Sequence, residues 1–547
     1  MNAPNIASLL HQQAREHPDQ TALRVLTGGR DTSLSFRELN EESNRLAGGL
    51  VRYGLLQGHR VLVMVPPGIE FIALTFALFR IGAVPVLIDP GLGRDPVLGC
   101  IRHVRPQGLV AVPRAHAARL LHPSAFEGVK VRITVGRRWF WGGPTLQQVR
   151  RSGRRDFATV GLSGKDPAAI LFTSGSTGPP KGVVYTHQMF FEQVQALQRV
   201  YGIQPGEIDL PTFPLFALFG VALGMTCVIP EMDATRPASV HPPNIIEPIH
   251  RFGVQNSFGS PALWDTVTRY CQTHGLTLPS LRRILIAGAP VGGPLLQRFD
   301  DILSPEAQVF TPYGATEALP VSHIERREIL GETWAQTQSG AGACVGPPVP
   351  GMNVRIMPLM DEPVERWDDA LELPVGVRGE IVVESPWVTQ QYFELPEATA
   401  AAKIGHADHY LHRMGDIGYR DEQGRLWFCG RKSQRVNTAD GPMFTIPCEA
   451  VFNRHPAVKR SALVGLGENG RQRPVLVVEL HNPKLAEQLQ TRLTLVSELL
   501  EQGAEFEHTR NIRDILFHPA FPVDVRHNAK ISRETLAAWA ARHLPPE

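Results

Sequence analysis

Residues 173–182, TSGSTGPPKG, gather chemically able side chains more densely than any other stretch of the chain. Hydroxyl residues Thr173, Ser174, Ser176 and Thr177 alternate with Gly175 and Gly178, so the backbone can fold back and aim several N–H groups at one point. Such a loop suits a phosphate, and Lys181 adds a point charge at its far end. It is not a Walker A loop, because Pro180 stands where that pattern needs Gly. Residues 182–185 then read as a strand, so no helix N-terminus seats the anion. A Gly/Ser/Thr run is also what a flexible turn looks like. The buried-strand pattern AAILF at 168–172 and the terminal lysine turn the reading towards phosphate.

This decapeptide resembles the phosphate-binding signature of the adenylate-forming superfamily, which includes acyl-CoA synthetases, luciferase and the adenylation domains of peptide synthetases. Its members activate a carboxylate with ATP, release pyrophosphate and hold an acyl-adenylate. Further motifs extend the likeness over nearly the whole chain. Gly288-Ala289-Pro290 is similar to the wall beside the adenine, and Tyr313-Gly314-Ala315-Thr316-Glu317 to the YGxTE signature. In these, Gly288 and Gly314 would let backbone approach a planar base on which Tyr313 stacks. Thr316 would bond a phosphate oxygen, and Glu317 would supply the hard oxygen ligand that Mg²⁺ prefers. The run His412-Arg413-Met414-Gly415-Asp416 resembles YRTGD with Met414 in place of Thr, which assigns the ribose hydroxyls to a loop aspartate, Asp416. Arg431, in a Gly-Arg pair that resembles the end of the large domain, would contact ribose or phosphate. Lys530, in FPVDVRHNAKISR at 521–533, matches the catalytic lysine, although Asn528-Ala529 departs from the usual x-Gly before it.

These residues need a scaffold. An amphipathic helix is expected over 7–16, and Ser35 with Glu38 three residues on forms a capping-box pattern opening a helix that carries Leu39, Leu46 and Leu50 on one face. Residues 60–65, 70–80 and 83–88 read as a βαβ unit, and similar alternation recurs to about residue 310. The fold class is therefore α/β with parallel sheets, its ligand at the carboxyl ends of the strands. The Pro/Gly-rich run VGPPVPG at 345–351 opens a strand-rich part, expected as a small β-barrel-like subdomain. Ser433 takes the place of the family's hinge residue, which divides the chain into a large domain, 1–432, and a small mobile α+β cap, 433–547. In the cap, strands are expected at 461–465, 475–480 and 515–517, with a helix whose face carries Leu485, Leu489, Leu493 and Leu500. Residues 323–340 read as a disordered surface loop or a lid.

Composition sets outer bounds. A chain of 547 residues suits three or four modules, and 43% hydrophobic and 20% charged residues fit a soluble globular enzyme. A net charge of +2 argues against a nucleic-acid binder. Basic residues dominate 102–155, with Glu127 the one acid there, which reads as a solvated face or as a docking surface for an acidic partner or anionic lipid. Six scattered cysteines lack metal-type spacing and imply reduced thiols in a cytoplasmic setting. The N-terminus carries no export signal, and the apolar window 71–88, interrupted by Arg80, Gly82 and Pro85, reads as helix then strand rather than a membrane span.

The acyl acceptor turns on two departures from the family pattern. After PLF at 214–216 relatives often carry a His, and here Ala217 stands; Phe216, Ala217, Phe219 and Phe258 are the candidate substrate pocket, apolar enough for a long alkyl chain. Residues 436–449, which in CoA ligases help form the pantetheine tunnel, contain extra residues around Asp440-Gly441-Pro442. Together with VRHNAKI these departures are most similar to the β-lactone-forming branch of bacterial long-chain olefin biosynthesis. That likeness implies a 2-alkyl-3-hydroxy fatty acid as substrate, ATP and Mg²⁺ as cofactors, and assembly with a β-lactone decarboxylase and a reductase. A long-chain acyl-CoA synthetase is the alternative. His187, after the phosphate loop, reads as a helix-start residue rather than a base.

Overall fold

A computed structural model describes residues 5–173, 179–523 and 531–544. Two parallel sheets form the bulk of the chain. The first has six strands in the order Val131–Thr134, Gly108–Ala111, Arg60–Met64, Val84–Ile88, Pro167–Thr173 and Lys181–Thr186, all parallel except the last, which returns antiparallel. The second has seven, Gln308–Phe310, Arg283–Ile286, Asn256–Gly259, Ile208–Pro211, Thr226–Ile229, Thr21–Thr27 and Arg30–Ser35, with only the terminal hairpin antiparallel. The expected βαβ unit is present, with the helix Ile69–Arg80 between parallel neighbours. Arg80, 2% exposed at the end of that helix, survives burial because Ser43 Oγ, Thr159 Oγ1 and Asn40 Oδ1 all accept from its guanidinium.

The helix Phe36–Arg52 opens on the Ser35–Glu38 capping box, and Leu39, Leu46 and Leu50 are fully buried. Each such leucine contributes about 2 kcal/mol through removal from water, which fixes the helix against the helices Ile69–Arg80 and Leu146–Ser152 and the terminal hairpin of the second sheet. The apolar window 71–88 is core, and among the described residues no helix is long and apolar enough to cross a membrane.

A third, curled antiparallel sheet follows: Ala343–Gly346, Leu426–Arg431, His409–Arg420, Gly379–Glu384 and Asn353–Met357, with Lys403–His406 on the outer edge of His409–Arg420. Beyond it lies a three-stranded sheet, Val458–Leu466, Arg473–Leu480 and Asp514–Phe517, with its own apolar clusters around Phe452, Leu463, Leu476 and Leu499.

Two expectations are corrected. Residues 323–340 are no disordered loop: Arg326–Glu328, Ile329–Thr333 and Trp334–Gln338 form a short, wound helical run. Ile329 is buried, and Trp334 packs so closely that a Cβ on Gly293 would lie 2.5 Å from its ring. In the C-terminal part the helix begins only at Leu489, and Leu495 and Leu499 face the core, while Leu489 and Leu493 are 72% and 54% exposed. The i, i+4 ladder from Leu485 failed because Leu485 belongs to the separate turn Pro483–Ala486. The basic stretch is a solvated face, with Arg137, Arg138, Arg151, Arg154 and Arg155 exposed, and part of it pairs with acids remote in sequence: Arg150 with Glu42, Arg155 with Glu41 and Arg105 with Glu394.

Candidate active site

The first and third sheets meet around Glu317. Thr316 and Glu317 form the turn between strands Tyr313–Ala315 and Ala318–Ser322. A Cβ on Gly314 would lie 2.5 Å from the Ala318 carbonyl, so glycine is required there by this tight hairpin rather than by a planar base. The Tyr185 hydroxyl donates to the Thr316 carbonyl, and the Thr389 N–H donates to the Glu317 carbonyl at 2.9 Å. The Tyr392 hydroxyl donates to Glu317 Oε1 at 2.8 Å. Lys181, opening the strand after the phosphate loop, places Nζ 5.0 Å from the centre of the Tyr392 ring. The turn is thereby held from two sheets at once.

Asp416 lies in the strand His409–Arg420, not in a turn. The strand's pairing with Gly379–Glu384 jumps from Ile417 to Arg413, and Gly415 takes φ +65° within that bulge. Asp416 is 3% exposed. Tyr313 donates its hydroxyl to Oδ2 at 2.6 Å, and Arg431 Nη1 stands 2.9 Å from Oδ1. Burial raises the carboxyl's pKa against the pull of Arg431, and Asp416 in turn raises that of Arg431. Gly288, φ +102°, follows the strand Arg283–Ile286 at the same sheet end that leads from Gln308–Phe310 into Tyr313. Gly288 and Pro290 are exposed there, with Ala289 half-buried.

Sequence reasoning missed three members of this cluster, Tyr185, Tyr392 and Lys403. Lys403 is 3% exposed, and its ammonium donates to the Thr389 carbonyl. Burial lowers its pKa from 10.5 to about 7, with Glu317 acting the other way. No motif marks it; only the pairing Lys403↔His412 brings it in from the sheet edge. The folded chain favours the neutral amine, whereas the unfolded chain stays protonated up to its ordinary value. Between pH 7 and 10.5 the unfolded state therefore binds more protons, and stability rises with pH; below 7 the penalty is complete. Lys403→Met is expected to remove this dependence, so that its stability relative to the parent changes by up to about 1.4 kcal/mol per pH unit across the window. Urea midpoints measured at pH 7.5 and 9.5 check this, and parallel shifts would contradict it.

The residues Ser174, Gly175, Ser176, Thr177, Gly178 and Lys530 lie outside the described residues, as does the side chain of Thr173. The strand Pro167–Thr173 and the strand Lys181–Thr186 do flank the phosphate loop as expected, with Thr173 paired to Lys181. His187 begins the helix His187–Tyr201 under a Thr186 cap. It is fully buried, its Nδ1 accepts from the Ile6 N–H, and burial lowers its pKa to about 4, so it is a packing residue.

The helix Pro214–Ala222 forms one wall of a narrow apolar cavity. Phe216 and Phe219 line it, and Phe216 stacks on Phe258 with centroids 3.5 Å apart. Ala217 does not line it: the residue points into the core, 1% exposed, where its carbonyl accepts from the Cys227 thiol. Part of the cavity's lining is polar. Asp209 stands there with Asn256 and Arg283, and burial raises its pKa to about 8.

Two wound parallel sheets, a curled antiparallel third and a small separate α+β unit, with a Tyr–Asp–Arg group and a carboxylate at their junction, define the class of adenylate-forming enzymes. The comparisons agree. The family described as AMP-binding enzyme matches residues 10–393. The olefin β-lactone synthetase of Stenotrophomonas maltophilia (strain K279a) is 47% identical over 565 residues, covering 100% of this chain and 99% of that one. The olefin β-lactone synthetase of Xanthomonas campestris pv. campestris (strain ATCC 33913) is 46% identical, covering 98% of each. Among solved structures, ATP-bound MatB from Rhodopseudomonas palustris superposes with a TM-score of 0.78 at 19% identity, over 98% of this chain and 99% of that one, a likeness of fold. The chain belongs to the AMP-binding enzyme family and is an ATP-dependent, AMP-forming ligase.

Proposed function

We propose that this ligase converts a 2-alkyl-3-hydroxy fatty acid to a β-lactone. The full-length 47% identity to an olefin β-lactone synthetase is the observation that carries the reading. The lining by Phe216, Phe219 and Phe258 is apolar enough for an alkyl chain, and the cavity, about 40 Å³, must widen to take one. In the first step a carboxylate oxygen attacks the α-phosphorus of ATP and pyrophosphate leaves, giving an acyl-adenylate. In the second the substrate's own 3-hydroxyl oxygen attacks the acyl carbon, the bond to AMP breaks, and the hydroxyl proton is lost. An intramolecular nucleophile needs no external acceptor, and its fixed proximity is worth a large effective concentration.

Residues 173–178 and Lys181 would hold the polyphosphate, with Thr316 beside them. Asp416 would accept from the ribose hydroxyls, with Arg431 and Tyr313 keeping it oriented, and the exposed edge at Gly288, Ala289 and Pro290 would take the base. Glu317 fits a magnesium ligand: it is a partly exposed carboxylate with Tyr392 fixing one oxygen, and Mg²⁺ is usually held by one or two carboxylates plus phosphate oxygens. Bound there, Mg²⁺ would neutralise phosphate charge. Residues 433–547 would act as a cap on a hinge near Ser433, bringing Lys530 to the α-phosphate. Their own apolar core supports that division, and the pairs Arg435–Asp361 at 2.7 Å and Lys432–Glu380 at 3.1 Å anchor the junction. The product, a strained lactone, calls for a decarboxylase downstream, and a reductase upstream would supply the 3-hydroxyl; we propose both as partners. The enzyme would work in the cytoplasm.

Incubation with ATP, Mg²⁺ and a racemic 2-alkyl-3-hydroxy acid, without CoA, tests the reading by NMR. A β-lactone signal accompanying AMP is expected. AMP formed only when CoA is added would favour the acyl-CoA synthetase alternative instead.

A further inference from the structure

We propose that Glu384, His406 and His409 form a binding site for one divalent transition-metal ion of zinc type, separate from the adenylation chemistry. The strands Lys403–His406 and His409–Arg420 make a hairpin in which His406 and His409 are the closing pair, directly opposite each other around the turn residues Ala407 and Asp408. Their rings lie 5.4 Å apart and nearly perpendicular. Glu384, the last residue of Gly379–Glu384, reaches both from the neighbouring strand. Its Oε1 contacts His409 Nε2 and stands 3.5 Å from His406 Nδ1. All three ligand atoms fall within 4.8 Å of one another, and this is the one such His/Cys/Asp/Glu group among the described residues.

The spacing suits an ion. Donors about 2.0–2.1 Å from a tetrahedral zinc lie roughly 3.3–3.4 Å apart, close to the His406–Glu384 separation. Two polar atoms of the group, His406 Nδ1 and Glu384 Oε2, are buried without a hydrogen-bond partner. Unsatisfied atoms of this kind are rare in proteins and call for a partner, and one cation would answer both. Two imidazoles and one carboxylate form a borderline donor set, which favours Zn²⁺ over the all-oxygen preferences of Mg²⁺ or Ca²⁺.

The ion would brace rather than catalyse. The hairpin's other end carries Lys403, whose ammonium holds the Thr389 carbonyl, and Tyr410 donates its N–H to Gln390 at 3.1 Å. The segment from Glu384 to Tyr392 would then be tied at one end by the metal and at the other by the bond from Tyr392 to Glu317.

The full chain, stripped with a chelator and dialysed, should be titrated with Zn²⁺ in competition with a chromophoric chelator, and the loaded protein studied by X-ray absorption. One equivalent per chain, with nitrogen and oxygen neighbours and no sulfur, is expected. Glu384→Gln, which keeps the side chain's size and a hydrogen-bond acceptor for His409, and His406→Ala should each weaken binding by about tenfold or more, and the His406→Ala/His409→Ala double variant should abolish it. Pyrophosphate release without added zinc should be unchanged in Glu384→Gln, which shows that the variant folds. Absence of saturable binding, sulfur in the coordination sphere, or undiminished affinity in Glu384→Gln or the double variant would overturn the proposal.

Discussion

Glu317→Gln is expected to lower the rate of pyrophosphate release by about 10²–10³-fold, the scale of losing one preorganised electrostatic contact, while leaving the fold intact. The structure separates the two effects. The glutamine carbonyl can still accept from the Tyr392 hydroxyl, and the backbone bond between Thr389 and the Glu317 carbonyl does not involve the side chain. What disappears is a negative charge that raises the pKa values of Lys403 and Arg431. The same change should therefore press Lys403 still further towards its neutral form. Steady-state pyrophosphate assays at saturating ATP and Mg²⁺, with thermal unfolding as the control, provide the measurement. Turnover within threefold of the parent would take Glu317 out of the reaction.

Asp416→Ala should act on both nucleotide binding and stability. The carboxylate is positioned by Tyr313 and Arg431, and charge-assisted hydrogen bonds are worth about 1.5–3 kcal/mol each. The KM for ATP is thus expected to rise by about 10–100-fold. Arg431 would lose its counter-charge. Breaking a fully buried pair costs about 3–5 kcal/mol, but Arg431 retains 32% side-chain exposure, so a smaller loss is expected here. Asp416→Asn keeps an acceptor for Tyr313 and should unfold nearer the parent while still binding ATP weakly. If both variants keep a parental KM, the ribose assignment fails.

Much of this arrangement is legible in the chain because short-range chemistry specifies it. The Ser35–Glu38 capping box, the strand patterns on either side of the phosphate loop and the apolar face of Phe36–Arg52 are all local signals, and all appear where expected. Glu317 and Asp416 announce themselves through the residues around them. Lys403 and Tyr392 do not, since each reaches the cluster through sheet pairing that no motif marks: Lys403 opposite His412 across a hairpin, and Tyr392 bridged to the remote Val183. Ala217 misled for a related reason. Its neighbours Phe216 and Phe219 do face the cavity, but position along a helix that is apolar all round does not say which residue turns to the core. Leu489 and Leu493 failed because Leu485, from which their i, i+4 series was counted, lies in the separate turn before the helix, and the helix buries the opposite face, at Leu495 and Leu499.

The central claim is that this enzyme makes its carboxylate reactive by placing AMP on it before the hydroxyl attacks. Substrate carrying ¹⁸O in both carboxylate oxygens tests it most directly. One ¹⁸O is expected in the released AMP phosphate and one in the lactone carbonyl, because the bridging oxygen departs with AMP and the ring oxygen comes from the 3-hydroxyl. A lactone that retains both labels, with unlabelled AMP, would contradict it.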